Sequence, residues 1–137
     1  MISVLLLLIP FLGSLLILVG PKKNTAQFAL VPALLQLGVT AWAYCHFTAN
    51  GPAAFTLDLP WISKPNIHFH VGMDGVAFLM LALVNLSLPF IILSAVNREF
   101  KRPRIFFFMV LFMQFALVGV FLAMDGLLYY VFWELTL

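Results

Sequence analysis

The chain has 137 residues, 64% of them hydrophobic and 9% charged, with a formal net charge of +2 and a mean hydropathy of +1.12. Soluble domains carry about half apolar and about a quarter charged residues, so this composition excludes a water-soluble fold and puts the chain in a bilayer. Seven scattered Lys and Arg residues exclude a nucleic-acid footprint, which needs clustered positive charge. The single cysteine, Cys45, excludes an intramolecular disulfide and any Cys-rich zinc site.

Apolar runs of about 17 to 25 residues suffice to cross a membrane. The first covers residues 2–19 and closes on Gly20-Pro21-Lys22-Lys23. It lacks a basic leader and an A-x-A cleavage site, so it reads as a retained span and not as a secretion signal. The second covers 26–47 and contains Pro32, tolerated where neighbouring groups satisfy the freed carbonyl. Next, Phe55-Thr56-Leu57-Asp58-Leu59 and Ile67-His68-Phe69-His70-Val71 alternate apolar and polar residues, with turn residues from Pro60 to Asn66 between them. That pattern predicts a β-hairpin.

The third span covers 75–96 and the fourth 105–124. A fifth begins at Gly126 and meets the chain end at Leu137 after rising only ~18 Å, so the sequence is expected to stop in mid-membrane. The expected fold is an all-α polytopic membrane protein. About four complete transmembrane helices and the start of a fifth form a single transmembrane unit over residues 1–137, with a small β-hairpin in the loop between helices two and three.

Cytoplasmic loops of membrane proteins carry the excess of Lys and Arg. Lys22 and Lys23 follow the first span, and Arg98, Lys101, Arg102 and Arg104 follow the third, so six of the seven basic residues share one side. Asp58, Lys64, Asp74 and Asp125 lie on the other. The amino terminus is therefore expected outside the cytoplasm, with the fifth helix entering from that outer side.

Asp74-Gly75 and Asp125-Gly126 each open a span, where an aspartate caps free amides at the positive helix end. Glu134 is different. It lies ~12 Å into the fifth span, near mid-bilayer, where an ionisable residue is by default a functional candidate. Gln36, Asn85 and Gln114 fall near the middle of spans two, three and four. Such amides serve either as polar glue between packed helices or, with water, as the lining of a polar route to Glu134.

His68 and His70 share a face of the expected outer strand. Two ligands fall short of the four a structural zinc takes, so they read as solvent-facing and no metal site is expected. His46, at the outer end of span two, lacks the partner at matching depth that an axial haem ligand pair requires. Trp42, Tyr44 and Trp61 are placed as interfacial anchors.

The segment GVFLAMDGLLYYVFWELTL, Gly119–Leu137, resembles the fourth-to-fifth helix region of the M-type (chain 4) antiporter-like subunit of NADH:quinone oxidoreductase, respiratory complex I. The FWELTL ending, Phe132–Leu137, is its specific part; related motifs in the L-type and N-type subunits differ around the glutamate. VGMDGVAFLM, Val71–Met80, is similar to the opening of the third helix in that family. The resemblance covers the whole chain and is strongest in its last third.

The resemblance implies that Glu134 acts as a proton relay, paired with a lysine on a later helix, in a translocase that couples quinone reduction elsewhere to proton movement. The lysine, the further central lysines and the broken helices would lie beyond Leu137, since family members are several times longer and contain inverted repeats. No cofactor is expected in this chain: flavin, iron–sulfur clusters and quinone would sit on partner subunits. The remaining expectations are other membrane subunits of complex I as partners, a second chain carrying the remaining helices, a surrounding lipid bilayer, and the bacterial inner membrane as location. A subunit of a multisubunit cation/proton antiporter or membrane-bound hydrogenase is one alternative; a shortened scaffold subunit without transport activity is another.

Overall fold

The computed structural model describes residues 2–20, 24–50, 56–62 and 67–137. In chain order these form α1 (Ile2–Val19), α2 (Thr25–Asn50), β1 (Leu57–Ile62), β2 (Ile67–Val71), α3 (Gly75–Ala95), α4 (Pro103–Leu122) and α5 (Gly126–Thr136). Helices α1 to α4 are each long and apolar enough to cross a membrane. The helical expectation holds, with shifts at the ends. The 26 residues of α2 rise ~39 Å, so the helix extends beyond the ~30 Å hydrocarbon core its apolar run covers. Pro103 sits at the first position of α4 and brings its start forward from residue 105, because its fixed φ suits a helix start. The same helix ends at Leu122, two residues early, because Ala123 turns extended and bridges to Val71.

The hairpin is present as an antiparallel pair, β1 against β2, with Leu57 opposite Val71 and Leu59 opposite Phe69. It differs from expectation at Pro60, which lies inside β1 and not in the turn. A two-stranded sheet consists of edges, where a proline lacking its N–H is tolerated, and the register shift between Pro60 and Ile62 absorbs the missing bond. Phe55, Lys64, and the loop lysines Lys22 and Lys23 lie outside the described residues.

Helix α4 is central and packs on α1, α2, α3 and α5. The buried apolar residues fall into two cores. One, at the hairpin end, contains Leu6, Ala43, Leu81, Val118 and Phe132. The other, toward the α3–α4 loop, contains Ile17, Ala33, Leu88, Phe107 and Leu111. Close approach of α1 and α2 requires Gly13, where a Cβ would stand 2.6 Å from the Pro32 ring. Small residues at such crossings drive helix association in lipid, where apolar burial supplies no net force.

The hairpin is tied to the α4–α5 junction by main-chain bonds. Gly72 N–H donates to Leu122 O at 2.9 Å, and Met124 N–H donates to His70 O at 2.9 Å. The segment entering α5 is thereby held by a strand more than fifty residues away in sequence.

Candidate functional site

Helix α5 is fixed in position by three features. Asp125 caps it, its carboxylate accepting from Leu127 N–H at 2.9 Å and Leu128 N–H at 3.4 Å; Asp74 caps α3 in the same way, accepting from Ala77 N–H at 2.7 Å. The Phe132 ring lies directly over Gly119 of α4, where a Cβ would meet it at 2.2 Å. Phe115 stands edge-on to Phe132, with centroids 5.5 Å apart. Leu128 and Phe132 are the buried residues of α5.

These contacts decide where Glu134 points. At about 100° per residue, it lies about 200° round the helix from Phe132, almost opposite the packed face. Glu134 is accordingly exposed on the surface of the described bundle, in the third turn of α5. The sequence leaves open which way Glu134 faces; among the described residues it points outward, because the stripe that docks on α4 is Leu128 and Phe132. Tyr130, one turn earlier on the same face, lies beside the Glu134 carboxylate.

The three amides are fully buried and are joined to one another, not to Glu134. Gln114 Nε2 donates to Asn85 Oδ1 at 2.8 Å, and Asn85 Nδ2 donates to Thr40 Oγ1 at 2.8 Å. Thr40 Oγ1 donates to the Gln36 main-chain oxygen at 2.7 Å, and Gln36 Nε2 donates to Leu6 O on α1 at 2.9 Å. Every bond points the same way, from α4 through α3 and α2 to α1. On each of α2, α3 and α4 the polar residue falls between the two apolar cores, so the layer divides the bundle near mid-height. Thr40 was not anticipated. Its signal was its place one turn after Gln36, where a hydroxyl shares the amide's face.

The outer residues differ partly from expectation. His68 is not merely solvent-facing: its Nδ1 stands 2.7 Å from Asp58 Oδ1 across the hairpin, diagonal to the register that sets Asp58 opposite His70. Trp42 stacks edge-on to His46 at 4.6 Å, and Trp42 and Tyr44 are about half exposed, as lipid anchors are. The Trp61 side chain lies outside the described residues.

No family model matches the chain. Among curated proteins it is 34% identical to F(420)H(2) dehydrogenase subunit M of Methanosarcina mazei, over 99% of this chain and 28% of that protein. It is 35% identical to NAD(P)H-quinone oxidoreductase chain 4 1 of Synechococcus sp. (strain JA-3-3Ab), over 96% of this chain and 26% of that protein. The NADH-quinone oxidoreductase subunit M of Pseudomonas aeruginosa is 31% identical over 96% and 28% of the respective chains. The chain is related to the M-type (chain 4) subunits. It spans about a quarter of the length of these relatives. A chain of the archaeal membrane-bound sulfane sulfur reductase superposes with a TM-score of 0.70 at 20% identity, over 98% of this chain and 28% of that one, so the fold is shared. The apolar helices and these relatives make the chain a multi-pass membrane protein.

Proposed function

We propose that this chain acts in a proton-translocating membrane subunit of an NADH:quinone oxidoreductase-type respiratory complex, and that Glu134 is its proton-carrying carboxylate. One observation carries the assignment: Glu134, expected at membrane depth from its place in the fifth span, stands on an exposed face of a capped helix locked on Gly119; the M-type relatives support it. A carboxylate there costs a few kcal/mol on insertion scales, a cost that function at a membrane-depth site accounts for. A cation brought near it favours the charged form, and withdrawing that cation drives proton uptake. Alternating the two states moves protons without redox chemistry in this chain.

The relatives are named for different electron donors, F(420)H(2) and NAD(P)H, which supports a role on the transport side, with flavin, iron–sulfur clusters and quinone on partner subunits. On this reading the chain carries no redox centre and works beside other membrane subunits, with the remaining helices supplied by further polypeptide. It lies in the bacterial inner membrane with its amino terminus outside the cytoplasm, as the basic residues at 98–104 support.

The test is donor-driven proton pumping in vesicles holding the assembled complex, comparing Glu134→Gln with Glu134→Asp. The expected result is loss of pumping in Gln and partial pumping in Asp, with assembly intact in both. Normal pumping in both assembled variants refutes the assignment and leaves a scaffold role.

A further inference from the structure

The α3–α4 junction collects charge that the transport mechanism does not use. Arg98, Lys101, Arg102 and Arg104 fall within seven residues, against a single carboxylate, Glu99. Arg98, Lys101 and Arg102 are exposed. Among the described residues, no ion pair neutralises any of these cations.

The site has shape as well as charge. An open cleft of ≈ 340 Å³ is lined by Lys101, Arg102, Pro103, Arg104 and Ile105. Arg104 is anchored, its guanidinium donating to the Gly20 carbonyl at the end of α1, so it forms a fixed wall of the cleft. The first turn of α4 opens at the same place, and Arg102 in its cap position makes no side-chain capping bond. Helix start and cations therefore present positive potential to one small volume.

The surface beyond the cleft is apolar. Ile105, Met109 and Met113 are 42%, 57% and 51% exposed and follow one another at four-residue spacing down one exposed side of α4. An anion-binding mouth that continues into an exposed apolar stripe matches an amphiphile with a phosphate head and acyl tails. From this continuity we infer that the α3–α4 junction is a binding site for an anionic phospholipid, its phosphate held by Lys101, Arg102 and Arg104 and its chains lying along Ile105, Met109 and Met113. Basic clusters at the ends of membrane helices attract anionic headgroups at roughly fivefold in affinity per cation.

The test uses the full-length subunit in its assembled complex, reconstituted in phosphatidylcholine vesicles. Trace photoactivatable phosphatidylglycerol or photoactivatable phosphatidylcholine is added, and the labelled peptides are mapped. Wild type is expected to be labelled in the stretch 101–113 by phosphatidylglycerol and not by phosphatidylcholine. Lys101→Gln combined with Arg102→Gln, both at exposed positions outside the packed core, is expected to lower that labelling by about 25-fold while pumping continues. Equal labelling by the two lipids, or undiminished labelling in the double variant, overturns the site. Displacement by millimolar inorganic phosphate as effective as by unlabelled phosphatidylglycerol overturns the lipid as its ligand and leaves a free-phosphate site.

Discussion

Replacing Asn85 with leucine tests whether the buried polar layer acts as one unit. Asn85 accepts from Gln114 and donates to Thr40, and leucine keeps much of the volume while removing both bonds. Hydrogen bonds between membrane helices are worth about 0.6 kcal/mol on average and up to about 1.7, so the two together predict a loss of about 1–3 kcal/mol. Gln114 fares worst. Its Oε1 already lacks a partner among the described residues, so the variant strips its amide of the remaining side-chain bond. A second change, Gln114→Leu, should therefore be destabilising in the parent and neutral or stabilising in Asn85→Leu, because removing both partners avoids leaving a buried donor unmet. The measurement is a double-mutant cycle on unfolding of the full-length subunit in bicelles by steric trapping. A coupling of at least about 1 kcal/mol is expected; additivity within about 0.3–0.5 kcal/mol refutes the idea that the layer is connected.

Gly119→Val places side-chain carbons where Phe132 carbons stand 2.2 to 2.4 Å from the ideal Cβ, and overpacking of that kind costs about 1–3 kcal/mol. It should displace α5 and lower pumping, and Phe132→Ala in the same chain should restore part of the loss; cysteine accessibility scanning along α5 reads the displacement directly. Asp58→Asn removes the charge in diagonal contact with His68, an exposed contact whose loss should change stability by under about 1 kcal/mol. Hydrogen exchange at Gly72 and Met124 should stay slow in that variant, since main-chain bonds hold the hairpin.

The spans were legible because lipid demands long apolar runs, and four such runs became α1 to α4. The caps at Asp74 and Asp125 were legible from residue type and place. The orientation of Glu134 was not. In a bilayer the lipid-facing and protein-facing sides of a helix are equally apolar, so Leu128, Phe132, Tyr130 and Val131 give no sign of which side docks. The decisive residue, Gly119, acts through the absent Cβ that lets the Phe132 ring in, a signal that appears only when the two helices are placed together. The amides were found as candidates, but their connection through Thr40 depends on helix rotations that a sequence of nearly uniform hydropathy leaves open. The tie between Gly72 and Leu122 is a main-chain bond and carries no side-chain signature.

The polar groups singled out on the helices are thus of two kinds, and on the proposed reading their arrangement separates holding the bundle from moving a proton. Gln36, Thr40, Asn85 and Gln114 are neutral and buried, and they satisfy much of one another's bonding capacity across four helices. A chain of amides whose donors all point toward the α1 carbonyl has no group that titrates, so it suits fixing helix register better than relaying charge. Glu134 is a carboxylate and faces away from that layer, so on the proposed reading its exchange partner approaches from outside these four helices. The contacts that lock α5, with Phe132 on Gly119, Asp125 at its cap and Met124 on His70, then acquire a purpose beyond packing. They hold the outward face of α5 at a fixed rotation, so that the distance between Glu134 and an approaching cation is set by movement of the cation's helix and not by drift of its own.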